Sequence, residues 1–135
     1  MSTDDSDIAL LCRGRVILAD LIDHAGKRKG EHPAILIDSD EQIAEIRAQI
    51  ERHESDLADF YVVPVSSNNT IAPEWNLPAP ARAGLKGFTQ CAFASFIPLG
   101  AIKEVTRQVV REPEIDEIED KVQEYNLSKL KKKHK

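Results

Sequence analysis

The chain has 135 residues, a mass of 15.1 kDa, 41% hydrophobic residues and a formal net charge of −5. That is one domain's length, and the apolar content excludes wholesale disorder. No apolar run approaches the ~20 residues of a membrane span, and Met1 to Asp7 carries three aspartates and no base, the wrong charge for a secretory signal. A soluble, cytoplasmic protein is expected. Cys12 and Cys91 lie far apart without CxxC spacing, so neither a disulfide framework nor a zinc site is indicated; no metal or cofactor is expected.

After an acidic segment expected to be disordered over 1–7, Val16 to Leu21 reads as a strand. His24 to Glu31 reads as a loop in which Gly26 and Gly30 bracket Lys27, Arg28 and Lys29. Pro33 to Ile37 is a second strand, apolar on both faces and therefore central. Ser39 and Gln42 have capping-box spacing, and Ile43, Ile46, Ile50 and Leu57 share a stripe with His53, which predicts a helix over about 40–57. Phe60 to Val65 is a third strand, with Pro64 marking an edge or a bulge because it cannot donate to a ladder.

Residues 66–84, with prolines at 73, 78 and 80, read as a long loop of the kind that is functional or mobile. Phe88 to Leu99 reads as one or two strands, and Ile102, Val105 and Val109 as a short amphipathic helix. Pro113 opens a last helix with the stripe Ile115, Ile118, Val122, Tyr125. Its acids lie near the start and its lysines at the end, which suits the helix dipole.

The charge is unevenly spread. Residues 38–59 hold eight acids and two bases, and residues 112–135 seven acids and six bases. Segments 8–37 and 60–111, which contain the strand-like runs, hold ten bases and five acids. A mildly basic β body therefore carries acidic helical appendages. Such a body attracts phosphate-bearing ligands, unless the two signs merely neutralise each other on one surface.

Several segments occur in the order of a known family: Gly14-Arg15-Val16, then His32-Pro33 before Ala34 to Ile37, then Val62-Val63-Pro64-Val65-Ser66-Ser67, then Gly84-Leu85 before a Thr-bearing strand, then Ile97 ahead of a terminal helix near Gly100. Over about 13–110 the chain resembles the PemK/MazF-like toxins of type II toxin–antitoxin pairs. The resemblance implies an α+β, mainly β, protein: a small SH3-like β-barrel over 8–111, with an inserted amphipathic helix over about 40–57 and a C-terminal helical extension over 112–135. It implies a homodimer that cuts single-stranded RNA without a metal, is neutralised by a cognate antitoxin, and binds operator DNA as the toxin–antitoxin complex. No membrane role is expected.

Metal-free RNA cleavage needs a base for the 2′-hydroxyl, an acid for the leaving 5′-oxygen and cations for the phosphorane. The resemblance assigns this work to an Arg beside the proline, here His32, and to hydroxyls at Ser66 and Ser67. An imidazole, with an ordinary pKa of ~6.5, suits proton transfer but is a poorer permanent cation than guanidinium. The other reading of His32 is an ordinary strand-entry residue, and that of Ser66 a turn cap before Asn68-Asn69. Lys27, Arg28, Lys29, Arg82 and Lys86 are candidate RNA phosphate contacts, or plain solvated charges. Trp75 stacks on a base or anchors its loop.

On a later strand, where some family members carry a catalytic Arg and Asp, this chain has Gln90 and Ala92. That departure keeps open a catalytically degenerate barrel that binds nucleic acid or protein. A protein-interaction domain working through the helices at 38–57 and 114–127 is a further reading.

Overall fold

The computed structural model describes residues 5–22, 28–54 and 58–133. Among these, seven strands form one antiparallel sheet: β1 (Arg15–Ile22), β2 (Arg28–Leu36), β3 (Asp59–Ser66), β4 (Asn76–Pro78), β5 (Phe88–Gln90), β6 (Ser95–Pro98) and β7 (Ile102–Val109). The hydrogen-bonded path runs β4-β5-β3-β2-β1-β7, with β6 branching from β3. Three helices complete the fold: α1 (Asp5–Leu10), α2 (Asp40–Glu51) and α3 (Glu114–Lys133).

The central strands are apolar on both sides because both faces of the sheet are covered. Ile17, Ala19, Ala34, Leu36, Phe60 and Val62 pack on one face with Ile43 and Ile46 of α2. Val16, Ile35, Ile37, Val63 and Val65 pack on the other with Ile115, Ile118 and Val122 of α3. Each of these three α3 side chains is worth roughly 1.5–3 kcal/mol on burial. Ion pairs add register: Arg13 meets Asp116 at 3.2 Å and Glu119 at 2.6 Å. The expected Ser39–Gln42 capping box is present at the start of α2.

Gly14 ties three elements together. Its N–H donates to the Leu36 carbonyl and its own carbonyl accepts from Val110, each at 2.8 Å. Its φ of +87° and the Val110 carbonyl lying where a Cβ would stand leave room only for glycine.

Several expectations need correction. Among the described residues the hydrogen-bonded path does not close, so the strands form an open sheet where a closed SH3-like barrel was expected. The 1–7 segment is helical from Asp5, and 1–4 lie outside the described residues. The expected loop over 24–31 is strand from Arg28 onward. The α2 helix ends at Glu51, before an exposed His53 at φ 62°, and Leu57 lies outside the described residues. The 66–84 segment contains β4 and two single 3-10 turns. Only a single 3-10 turn stands near Gly100; the terminal helix starts at Glu114.

The Ile102-Val105-Val109 pattern belongs to a strand, not a helix. Ala19 pairs with Ile102, Leu18 with Glu104 and Ile17 with Val105, so one extra residue is accommodated in β7. That irregularity brings Ile102 and Val105 to one face at a spacing that imitates a helical repeat. The β-branched Val105, Thr106 and Val109 fit this backbone. Among the described residues, no helix is long and apolar enough to cross a membrane.

Asp38, 4% exposed, follows directly on the second strand. Its carboxylate accepts the Tyr61 N–H at 2.9 Å. Burial pushes its pKa up to about 6, from an ordinary 3.8, against the lowering effect of that hydrogen bond and of Arg13. The folded state thus holds this proton more tightly than the unfolded chain. The resulting stability is complete below pH 3.8 and is lost as pH rises through about 6. An Asp38→Asn variant should flatten this part of the stability profile, read from urea midpoints at several pH values. An unchanged slope across that window would contradict the assignment.

Candidate active site

The register of β2 on β3 builds the site. Ala34 pairs with Pro64, Ile35 with Val63 and Leu36 with Val62. The Ile37 N–H donates to the Tyr61 carbonyl at 3.0 Å, so the odd-numbered residues of β2 form hydrogen-bonded pairs and the even-numbered ones do not. Pro64 therefore directs its missing N–H away from β2. On that outer side β6 pairs only with Asp59 to Val62, and β5 only with Val65 and Ser66. Pro64 falls in the gap, where no donor is needed.

The β2–β3 pairing ends at Ala34 and Pro64; beyond it Ser66 pairs with Phe88 of β5, so His32 and Ser66 are related by the face they share and not by a direct pairing. His32 pairs with Ala19 of β1. The pleat puts His32, Ala34 and Leu36 on one face with Ala19, and Ser66 on that face with Phe60 and Val62. That is the α2-covered face. His32 and Ser66 are each partly exposed there.

A groove of about 440 Å³ opens at this end of the sheet. Its walls come from Asp20 and Leu21 of β1, Pro64 of β3, the Ala92–Pro98 segment and Ala101. Leu21 pairs with Gly30 and Pro64 with Ala34, so these two walls flank the strand position of His32.

Ser66 and Ser67 begin an ordered turn. The Ser66 hydroxyl accepts the Asn68 N–H at 3.1 Å, and Asn68 Oδ1 accepts from the Thr70 N–H at 2.7 Å and the Thr70 hydroxyl at 2.6 Å. Ser66 is thus the turn cap that its sequence context suggested. Its own hydroxyl proton remains to be donated. Ser67 is exposed. Phe88 pairs with Ser66, and Gly87 lies against the Ser66–Ser67 backbone. This places the exposed Lys86, one residue before Gly87, beside the serines.

The other candidate bases divide. Lys27 lies outside the described residues. Arg28 and Lys29 belong to β2, four and three residues before His32, and their side chains lie outside the described set. Arg82 is bound elsewhere: its Nε and Nη2 donate to the two Glu114 oxygens at 2.8 and 2.6 Å. That contact holds Glu114 below the usual carboxylate range. Gln90 is buried and pairs with Asn76, while Ala92 lines the groove. Trp75 anchors its loop, edge-on to Tyr125 with ring centroids 5.3 Å apart.

Asp20, Leu21 and the Ala92–Pro98 wall escaped the sequence reading, since nothing in their spacing announces a groove. Only the structure shows that Phe96 of this wall is 65% exposed.

The fold is that of the MazF/PemK-like toxins. No family model and no curated protein matches the sequence, but solved structures do. A MazE–MazF complex from Deinococcus radiodurans superposes with a TM-score of 0.61 at 15% identity, over 84% of this chain and 92% of that one. MazF alone from the same organism gives 0.62 at 15% identity, over 83% and 92%. An endoribonuclease in complex with its cognate antitoxin, from Mycobacterial species, gives 0.59 at 15% identity, over 85% and 93%. At this identity the likeness establishes the architecture.

Gly87 supplies a test of the site's construction. With φ at +95° and the Ser66 carbonyl where a Cβ would stand, Gly87→Ala forces the Lys86 turn off the serines. It should cost at least ~1 kcal/mol in a urea titration. An unchanged midpoint would show that the turn and the serines are not packed as described.

Proposed function

We propose that this protein is a toxin-type endoribonuclease of the MazF/PemK-like group, acting in the cytoplasm on single-stranded RNA. The observation that favours this reading is the fold shared with MazF, within which strand alternation leaves His32 and Ser66, each partly exposed, on the same face of the sheet.

The chemistry follows from these groups. A base removes the proton of the RNA 2′-hydroxyl, and the 2′-oxygen attacks the adjacent phosphorus. The 5′-oxygen leaves and takes a proton from an acid, which gives a cyclic phosphate and a 5′-hydroxyl. His32 transfers one of these protons. Ser66 and Ser67 donate to the non-bridging phosphate oxygens, and Lys86 with the Lys27–Lys29 segment supplies positive charge to the phosphorane. Nothing in this sequence of steps requires a metal. The architecture shared with the MazE–MazF and endoribonuclease–antitoxin complexes supports a cognate antitoxin as partner, and with it a homodimer that binds operator DNA when complexed.

A second reading is favoured by one observation. Where some members of the group carry an Arg and an Asp, this chain has a buried Gln90 and the apolar Ala92. A barrel that has lost catalysis would bind RNA in a salt-dependent way and yield no product.

Purified protein incubated with a mixed-sequence single-stranded RNA, without added metal, separates the two. Cleavage should occur, His32→Ala should lower its rate by ~10²–10⁴-fold, and Ser66→Ala should lower it less, both with an unchanged melting temperature. Intact RNA across many sequences would remove the nuclease reading.

A further inference from the structure

The α3 helix has two electrically different halves. Residues 114–120 hold five acids and no base, and residues 121–133 hold five lysines and one acid. Three of the five acids are used within the fold. Glu114 takes Arg82, while Asp116 and Glu119 take Arg13. The basic half is not matched in this way.

Two of its five lysines rest on aromatic rings instead. Lys121 Nζ stands 5.4 Å from the centre of the Trp75 ring, and Lys129 Nζ 5.3 Å from that of Tyr125. Lys121 approaches Glu124 only at 3.9 Å. Among the described residues, Lys129 has no carboxylate partner. Lys121, Tyr125 and Lys129 recur every four residues, so they form one row along the helix. Trp75 meets this row edge-on from the turn before β4. The pattern of alternating ammonium and aromatic groups is what single-stranded nucleic acid asks of a protein: cations for the backbone and ring faces for the bases.

The row belongs to the α3-covered face and the candidate site to the α2-covered one, so a strand that reaches both must cross the β4 edge of the sheet. Ser66 pairs with Phe88, and Phe88 pairs with Pro78, three residues after Trp75. Two strand spacings across and three residues along put Trp75 roughly 14 Å from Ser66. The intervening loop is held in place, for Asn76 Nδ2 donates to Asn69 Oδ1 at 2.9 Å. A strand of RNA leaving the serines can run over this loop to the helix.

We propose that Trp75, Tyr125, Lys121 and Lys129 form a secondary track for single-stranded RNA, which holds the stretch flanking the bond at His32 and Ser66. The track rests on the reading of RNA as the substrate. It predicts that affinity grows with RNA length past the cleavage groove. An acidic polypeptide is the competing occupant.

The test measures binding by fluorescence anisotropy, in a His32→Ala background that removes turnover, with RNAs of roughly 5 and roughly 16 nucleotides. Changing both Lys121 and Lys129 to alanine should weaken the longer RNA about tenfold. It should also reduce the slope of log affinity against log salt by about 1.4, that is ~0.7 per lost charge. The shorter RNA should bind as before. The paired change to arginine should restore the longer RNA.

Equal loss on both lengths, or none on the longer, overturns the track while leaving the nuclease reading intact. The same holds if poly-glutamate binding is lost and RNA binding is not. If neither RNA binds before the lysines are changed, both readings fall.

Discussion

The pairing of β2 with β3 decides which face of the sheet His32 and Ser66 occupy. A slip of one residue would send His32 to the opposite face and separate it from Ser66. Hydrophobic alternation alone does not prevent that slip, because residues 34–37 and 62–65 are buried on both faces. The register is pinned by polar contacts at its far end. Ile37 donates to Tyr61, Asp38 accepts from Tyr61, and Gly14 takes the Leu36 carbonyl. Pro64 adds a negative constraint, since its missing donor is tolerated only where β5 and β6 leave a gap. A buried carboxylate and a left-handed glycine, both remote from the groove, therefore hold the register of β2 on β3.

The α3 helix plays two roles with one sequence. Its first half is structural, with three buried apolar side chains and acids that neutralise Arg13 and Arg82. Its second half runs on with Leu127 and Leu130 exposed and Lys121 and Lys129 on aromatic rings. The division explains why an acidic chain can present basic surface. Three of the acids of α3 are spent against Arg13 and Arg82 of the body, while Lys129 stands over a ring.

Much of the fold was legible in the sequence. The first three strands, the capping box and the last helix follow from apolar runs, Ser39–Gln42 spacing and the stripe from Ile115 to Tyr125. The β7 strand was not, because an irregular pairing gives Ile102 and Val105 a helical spacing. Nor was β4, since three residues among prolines carry no periodicity. At the candidate site, His32 and the serines were found through their resemblance to a family pattern, and physical reading alone left them as a strand entry and a turn cap. The groove and the Arg82–Glu114 pair depend on which loops meet, which local sequence does not encode.

A double-mutant cycle on the rate of RNA cleavage tests this geometry most directly. If the register makes His32 and Ser66 parts of one constellation, the variant lacking both falls no further than the worse single variant. Losses that simply multiply would show two groups acting independently, and a site assembled by this strand pairing would be contradicted.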